Sequence, residues 1–128
     1  MSVTYSQTAI DYRLQGVIDA IDSGGSNGLL LLMSDSTVIS TISLARPCGT
    51  VSGGILTFVG TLVDPSATGT GYVNDAQIWN SNGVVMVSEL TVGIPSQVAD
   101  VIISNGLNNT LISAGQAVQV LAAQITGS

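Results

Sequence analysis

The side chains that could carry nucleophilic chemistry in this chain are its serine and threonine hydroxyls and one thiol, and eight carboxylates are left to act as bases. Histidine and lysine are absent, and the only cations are Arg13 and Arg46. A nucleophile needs a base beside it, and here only a carboxylate could serve. Cys48 sits two residues from Arg46, which could lower its pKa, but Arg46-Pro47-Cys48-Gly49 reads as a turn. A lone cysteine is far more often a small packing residue. Glycoside hydrolysis would need two carboxylates flanking one bond. Asp64, Asp75 and Glu89 are the candidates, and no spacing joins any two of them; turns or solvent faces are their expected places. Metal sites lack imidazole, and Asp19 and Asp22 at a helix end do not form a ligand loop. Gly24-Gly25-Ser26-Asn27-Gly28 follows a helix and precedes a strand, the reverse of the phosphate-cradling order. Asn108-Asn109-Thr110 matches a glycosylation sequon by chance. The expectation is a protein that is not an enzyme and holds no cofactor and no metal.

Composition narrows the class further. Of 128 residues, 45% are apolar and only 8% charged, with a net charge of -6. Free monomers usually dress roughly 25–35% of their surface in charge. This surface is therefore expected to be Ser, Thr, Asn, Gln and Gly, or to be covered by partners. Two arginines cannot neutralise a row of phosphates, so nucleic acid is excluded as a partner. The longest apolar stretch, Leu29 to Met33, falls far below the ~20 residues of a membrane helix. No basic stretch followed by an apolar one stands at the first residues, so no secretory signal is expected. One cysteine permits no internal disulfide.

The elements that must position any site read as a single domain over residues 1–128. Ser2 to Tyr5 form a possible arm. Residues 6–22 form a helix, with Ser6 as N-cap and Ile10, Leu14, Val17, Ile18 and Ile21 on one stripe. Ser23-Gly24-Gly25 ends it. Residues 28–126 read as β structure. Strands are expected at Leu29–Met33, Val38–Leu44, Ile55–Val63, Tyr72–Trp79, Val84–Val92, Val98–Ile103, Leu111–Ile112 and Ala117–Ile125. Asn82-Gly83 between two apolar runs is the strongest hairpin signal. On the second of those runs Val84, Met86, Leu90 and Val92 are expected to share a face. The fold class is mainly β, an antiparallel sandwich or barrel-like domain behind one N-terminal helix. Tyr72 and Trp79 are expected in packing, with an interface role as the sharper alternative.

The region Gly69 to Thr126 resembles small tailed-phage virion proteins encoded among head genes. The resemblance rests on Gly69-Thr70-Gly71, Asn80-Ser81-Asn82-Gly83, Val84-Val85-Met86-Val87, Val92-Gly93, Val101-Ile102-Ile103 and Ala114-Gly115-Gln116-Ala117-Val118-Gln119-Val120. The chain departs from that pattern at Ala76-Gln77-Ile78, where an aromatic-arginine pair is common in the family. The resemblance implies a capsid decoration or cement protein on the virion surface, with the major capsid protein as partner and a trimer as the assembly. A tail or head–tail joining protein is the alternative, and a carbohydrate-binding β-sandwich module ranks third because aromatic content is only 4%. The candidate partner contacts are Ser2, Val3, Thr4 and Tyr5 of the arm, the cations Arg13 and Arg46, and the aromatics Tyr72 and Trp79.

Overall fold

The computed structural model describes residues 6–95, 97–104 and 109–126. The arm Ser2 to Tyr5 lies outside them. Helix α1 (Gln7–Asp22) forms where the 3.6-residue stripe predicts it. Ser6 is its N-cap: the backbone is extended there and Oγ accepts the Ala9 N–H at 3.1 Å. Leu14, Ile18 and Ile21 are buried, and Ile10 and Val17 pack at the margin. Ser23 closes the last turn in a right-handed conformation, and Gly25 takes the left-handed one at φ +84°. Gly24 serves a different purpose. A Cβ there would collide with the Ser81 hydroxyl and lie 2.9 Å from its backbone nitrogen, so glycine lets a hairpin turn press against the helix end.

Twelve strands follow among the described residues. They are β1 (Leu29–Ser34), β2 (Thr37–Ser43), β3 (Gly49–Ser52), β4 (Ile55–Phe58), β5 (Val63–Asp64) and β6 (Gly71–Tyr72). The rest are β7 (Asp75–Trp79), β8 (Val85–Leu90), β9 (Val92–Gly93), β10 (Val101–Ser104), β11 (Leu111–Ile112) and β12 (Val118–Thr126). One antiparallel sheet has the order β2-β1-β7-β8. A second runs β3-β4-β12-β10-β9, with β5 also on β12, and β11-β6 form a separate ribbon. The β9–β10 pairing is parallel, and the other pairings are antiparallel. The sheets pack in a sandwich-like arrangement around Leu30, Leu32, Ile42 and Ile78 from one and Leu56, Val101, Ile103 and Val118 from the other, each at most 1% exposed. Helix α1 packs on β3, β4 and β8 and adds its stripe to that core. The expected mainly β fold behind one helix is the fold observed.

Several expected strands are divided. Ile55–Val63 breaks at Gly60, which has φ +95°. Its halves, β4 and β5, lie along the same edge of β12, opposite Gln124–Thr126 and Val118–Gln119 respectively. Leu56, Phe58 and Leu62 are all buried, as their shared face predicts. Tyr72–Trp79 divides at Val73-Asn74, because β6 pairs with β11 while β7 pairs with β1. Val84–Val92 divides at Thr91, where the chain crosses from one sheet to the other. The expected alternation on that run fails. Bulges in the β7–β8 register leave Met86 and Val87 both half-buried, Glu89 stands at φ +60°, and Val84 is 50% exposed. The strand expected from Val98 starts only at Val101; Val98 is fully exposed.

Candidate functional site

Of the three carboxylates expected in turns or on solvent faces, Glu89 is exposed on β8, Asp75 is half-buried on β7, and Asp64 is buried. Asp64 is 7% exposed and bridges the sheets. Its Oδ2 accepts the Ser40 hydroxyl at 2.7 Å and the Thr41 N–H at 3.3 Å, and its Oδ1 accepts the Ser66 N–H at 3.1 Å. This corrects its assignment to the surface. A buried carboxylate surrounded by donors to its charged form is a structural tie. Asp11 ties the helix to the β3–β4 turn by accepting the Gly54 N–H at 2.9 Å. Asp35 and Asn74 exchange two hydrogen bonds, with Asn74 Oδ1 accepting the Asp35 N–H and Asn74 Nδ2 donating to Asp35 Oδ1. Asp100 Oδ2 accepts both the N–H and the hydroxyl of Thr91, pinning the crossing between sheets.

Cys48 is fully buried. Burial first, and then the Asp22 carboxylate beside it, push its thiol up to about 12. Desolvation and a neighbouring anion both disfavour a thiolate. Proximity to Arg46 in sequence does not activate it; Arg46 is exposed, beyond a cis peptide bond to Pro47. Asp22, at the unfavourable end of the helix dipole, thus faces the thiol. Among the described residues, no group of three or more His, Cys, Asp or Glu could hold a metal ion, and no helix is long and apolar enough to cross a membrane.

The four candidate contacts within the described residues lie on separate elements. Arg13 is exposed on α1 and Arg46 on the β2–β3 connection. Trp79 is half-buried at the end of β7, where its Nε1 donates to Gln77 Oε1 at 3.0 Å. It shares a row with Leu29 of β1 and Val85 of β8 on the sheet face opposite the core. Tyr72 is 58% exposed and lines a groove.

That groove has a volume of about 410 Å³. It lies between the β6–β11 ribbon and the crossing from β8 to β9. Tyr72, Val73, Asn74, Asn109 and Thr110 line one part, and Thr91, Val92 and Gln97 the other. The Val73 N–H donates to the Thr110 carbonyl at 3.0 Å and closes the ribbon beneath it. Gln97 reaches the groove because Gly93 leaves room; a Cβ on Gly93 would come within 3.0 Å of Gln97 Oε1. Sequence reasoning identified Tyr72 and missed the other lining residues. They come from separated segments, and no local pattern marks them. No protein-family model, curated protein or solved structure matches the chain.

Proposed function

We propose that this chain is a non-enzymatic structural protein of a virion, of the capsid decoration or cement type, which adds cohesion by covering neighbouring major capsid proteins. The observation that carries this reading is where the polar and apolar groups lie. The carboxylates of Asp11, Asp35, Asp64 and Asp100 are hydrogen-bonded to the protein's own groups, and the thiol is buried. Meanwhile Tyr12, Tyr72, Val84, Val85, Val98 and Leu121 are left 47–105% exposed on a chain with 8% charged residues. Such a surface suits contact with many neighbours better than life as a free monomer. The resemblance over Gly69 to Thr126 supplies the virion assignment. Among its motif residues, Asn80–Gly83 join β7 to β8, Gly115, at φ +86°, lies between β11 and β12, and Val101–Ile103 and Val118–Val120 lie in β10 and β12.

Attachment of this kind is apolar and hydrogen-bonded. Screened surface ion pairs contribute only about 0–1 kcal/mol each, whereas apolar burial contributes roughly 25 cal/mol per Å² and is not weakened by salt. Purified particles washed in molar salt should therefore keep the protein. Deleting residues 2–5 should weaken attachment while leaving the circular dichroism of the β domain unchanged, and the isolated protein should sediment as a trimer. Stripping by moderate salt with no effect of the deletion would refute the mechanism. A monomer at high concentration that is also absent from purified particles would refute the assignment.

A further inference from the structure

We propose that the groove between the β6–β11 ribbon and the β8–β9 crossing binds a neutral saccharide, with Tyr72 as the platform for one sugar ring. Its lining is uncharged throughout: a tyrosine, two valines, three carboxamide residues and two threonines. With no cation present, nothing there would hold a phosphate or carboxylate ligand. An uncharged ligand dense in hydroxyls suits this set, because amides and hydroxyls both donate and accept. The aromatic supplies the complement: a sugar ring presents a face of C–H bonds, and an exposed tyrosine offers an apolar ring with a polar tip.

The groove is also preformed, which limits the ordering cost of binding. Gln97 Oε1 accepts the Ile94 N–H at 3.1 Å, and Asn109 Oδ1 accepts the Leu111 N–H at 3.0 Å, so each carboxamide is anchored through its oxygen. Asn74 is held by Asp35 and Thr91 by Asp100. A volume of about 410 Å³ falls within the ~300–1,000 Å³ of small-molecule sites. An extended peptide is less well served. The adjoining sheet edge, β9, is only two residues long and offers little backbone to pair with an added strand.

The test uses the isotopically labelled full chain and nuclear magnetic resonance titration with four hexasaccharides: maltohexaose, cellohexaose, N-acetylchitohexaose and hexagalacturonate. At least one of the three neutral probes should shift the amides of Val73, Asn74, Val92 and Gln97 at millimolar concentration. Tyr72→Ala should weaken that binding by about tenfold or more, roughly 1.4 kcal/mol. Tyr72→Phe should keep it within about threefold, since the ring remains. Tyr12→Ala, at an exposed tyrosine outside the groove, should leave it unchanged. The proposal is overturned if no neutral probe shifts these amides, if only the acidic probe does, or if Tyr72→Ala binds as the parent does. A folded spectrum for each variant separates loss of the site from loss of the fold.

Discussion

Removing the Asp64 carboxylate tests how the two sheets are joined. Ser40 and Thr41 belong to β2 of the first sheet, and Asp64 belongs to β5 of the second. Asp64→Ala would leave the Ser40 hydroxyl and the N–H groups of Thr41 and Ser66 without their acceptor. A hydrogen bond to a charged group contributes about 1.5–3 kcal/mol, and a buried donor left unpaired costs about 1–3. The 2.7 Å and 3.1 Å bonds carry most of this; the one at 3.3 Å carries less. Releasing a buried charge and admitting water offset part of the loss, so the expected cost is about 3–4 kcal/mol. Asp64→Asn preserves shape but turns an NH2 toward a donor whichever way it is oriented. It should cost less, about 1–2 kcal/mol. The assay is equilibrium urea unfolding followed by far-ultraviolet circular dichroism, with Trp79 fluorescence as second probe. A double-mutant cycle with Ser40→Ala should give a coupling of about 1–2 kcal/mol. An Asp64→Ala protein within about 0.5 kcal/mol of the parent, or a coupling of zero, would refute the role of this tie.

Three further outcomes follow from Cys48 and Glu89. Cys48 should resist alkylation in the native state and react only on unfolding; fast native labelling at pH 8 would contradict its burial. Because its folded pKa, about 12, lies above the ordinary 9.0, the unfolded chain loses this proton first. The thiol's contribution to stability is thus fully present below pH 9 and lost as pH rises toward 12. A Cys48→Ala variant should show a flatter decline over that window. Glu89 is exposed with φ +60°, a region where a side chain costs about 1 kcal/mol and glycine does not. Glu89→Gly should leave urea stability unchanged or raise it by up to about 1 kcal/mol, whereas a loss above that value would show that the side chain supports the crossing.

What could be read directly from the chain depends on neighbours along it. The helix was legible because Ile10, Leu14, Val17, Ile18 and Ile21 repeat at the helical period and Ser6 caps the first turn within three residues. The β7–β8 turn was legible because Asn80 to Gly83 is closed locally: Asn80 Oδ1 accepts the N–H groups of Asn82 and Val84. The mainly β class followed from short apolar runs between such turns. Tertiary structure alone decided where those runs divide, because division depends on which strand each half pairs with. β4 and β5 share β12, β6 leaves for β11, and the chain changes sheets at Thr91. It also decided the fate of Asp64, whose Ser40 and Thr41 partners are 24 and 23 residues away, and of Cys48, whose anionic neighbour sits at the far end of the helix. The groove was legible only at Tyr72. Asn109 and Thr110 reach it through the β6–β11 pairing, and Thr91, Val92 and Gln97 through the crossing between sheets. Loop closure and strand pairing bring such segments together. Both are properties of the whole packed chain, so periodicity within a window of residues carries no record of them.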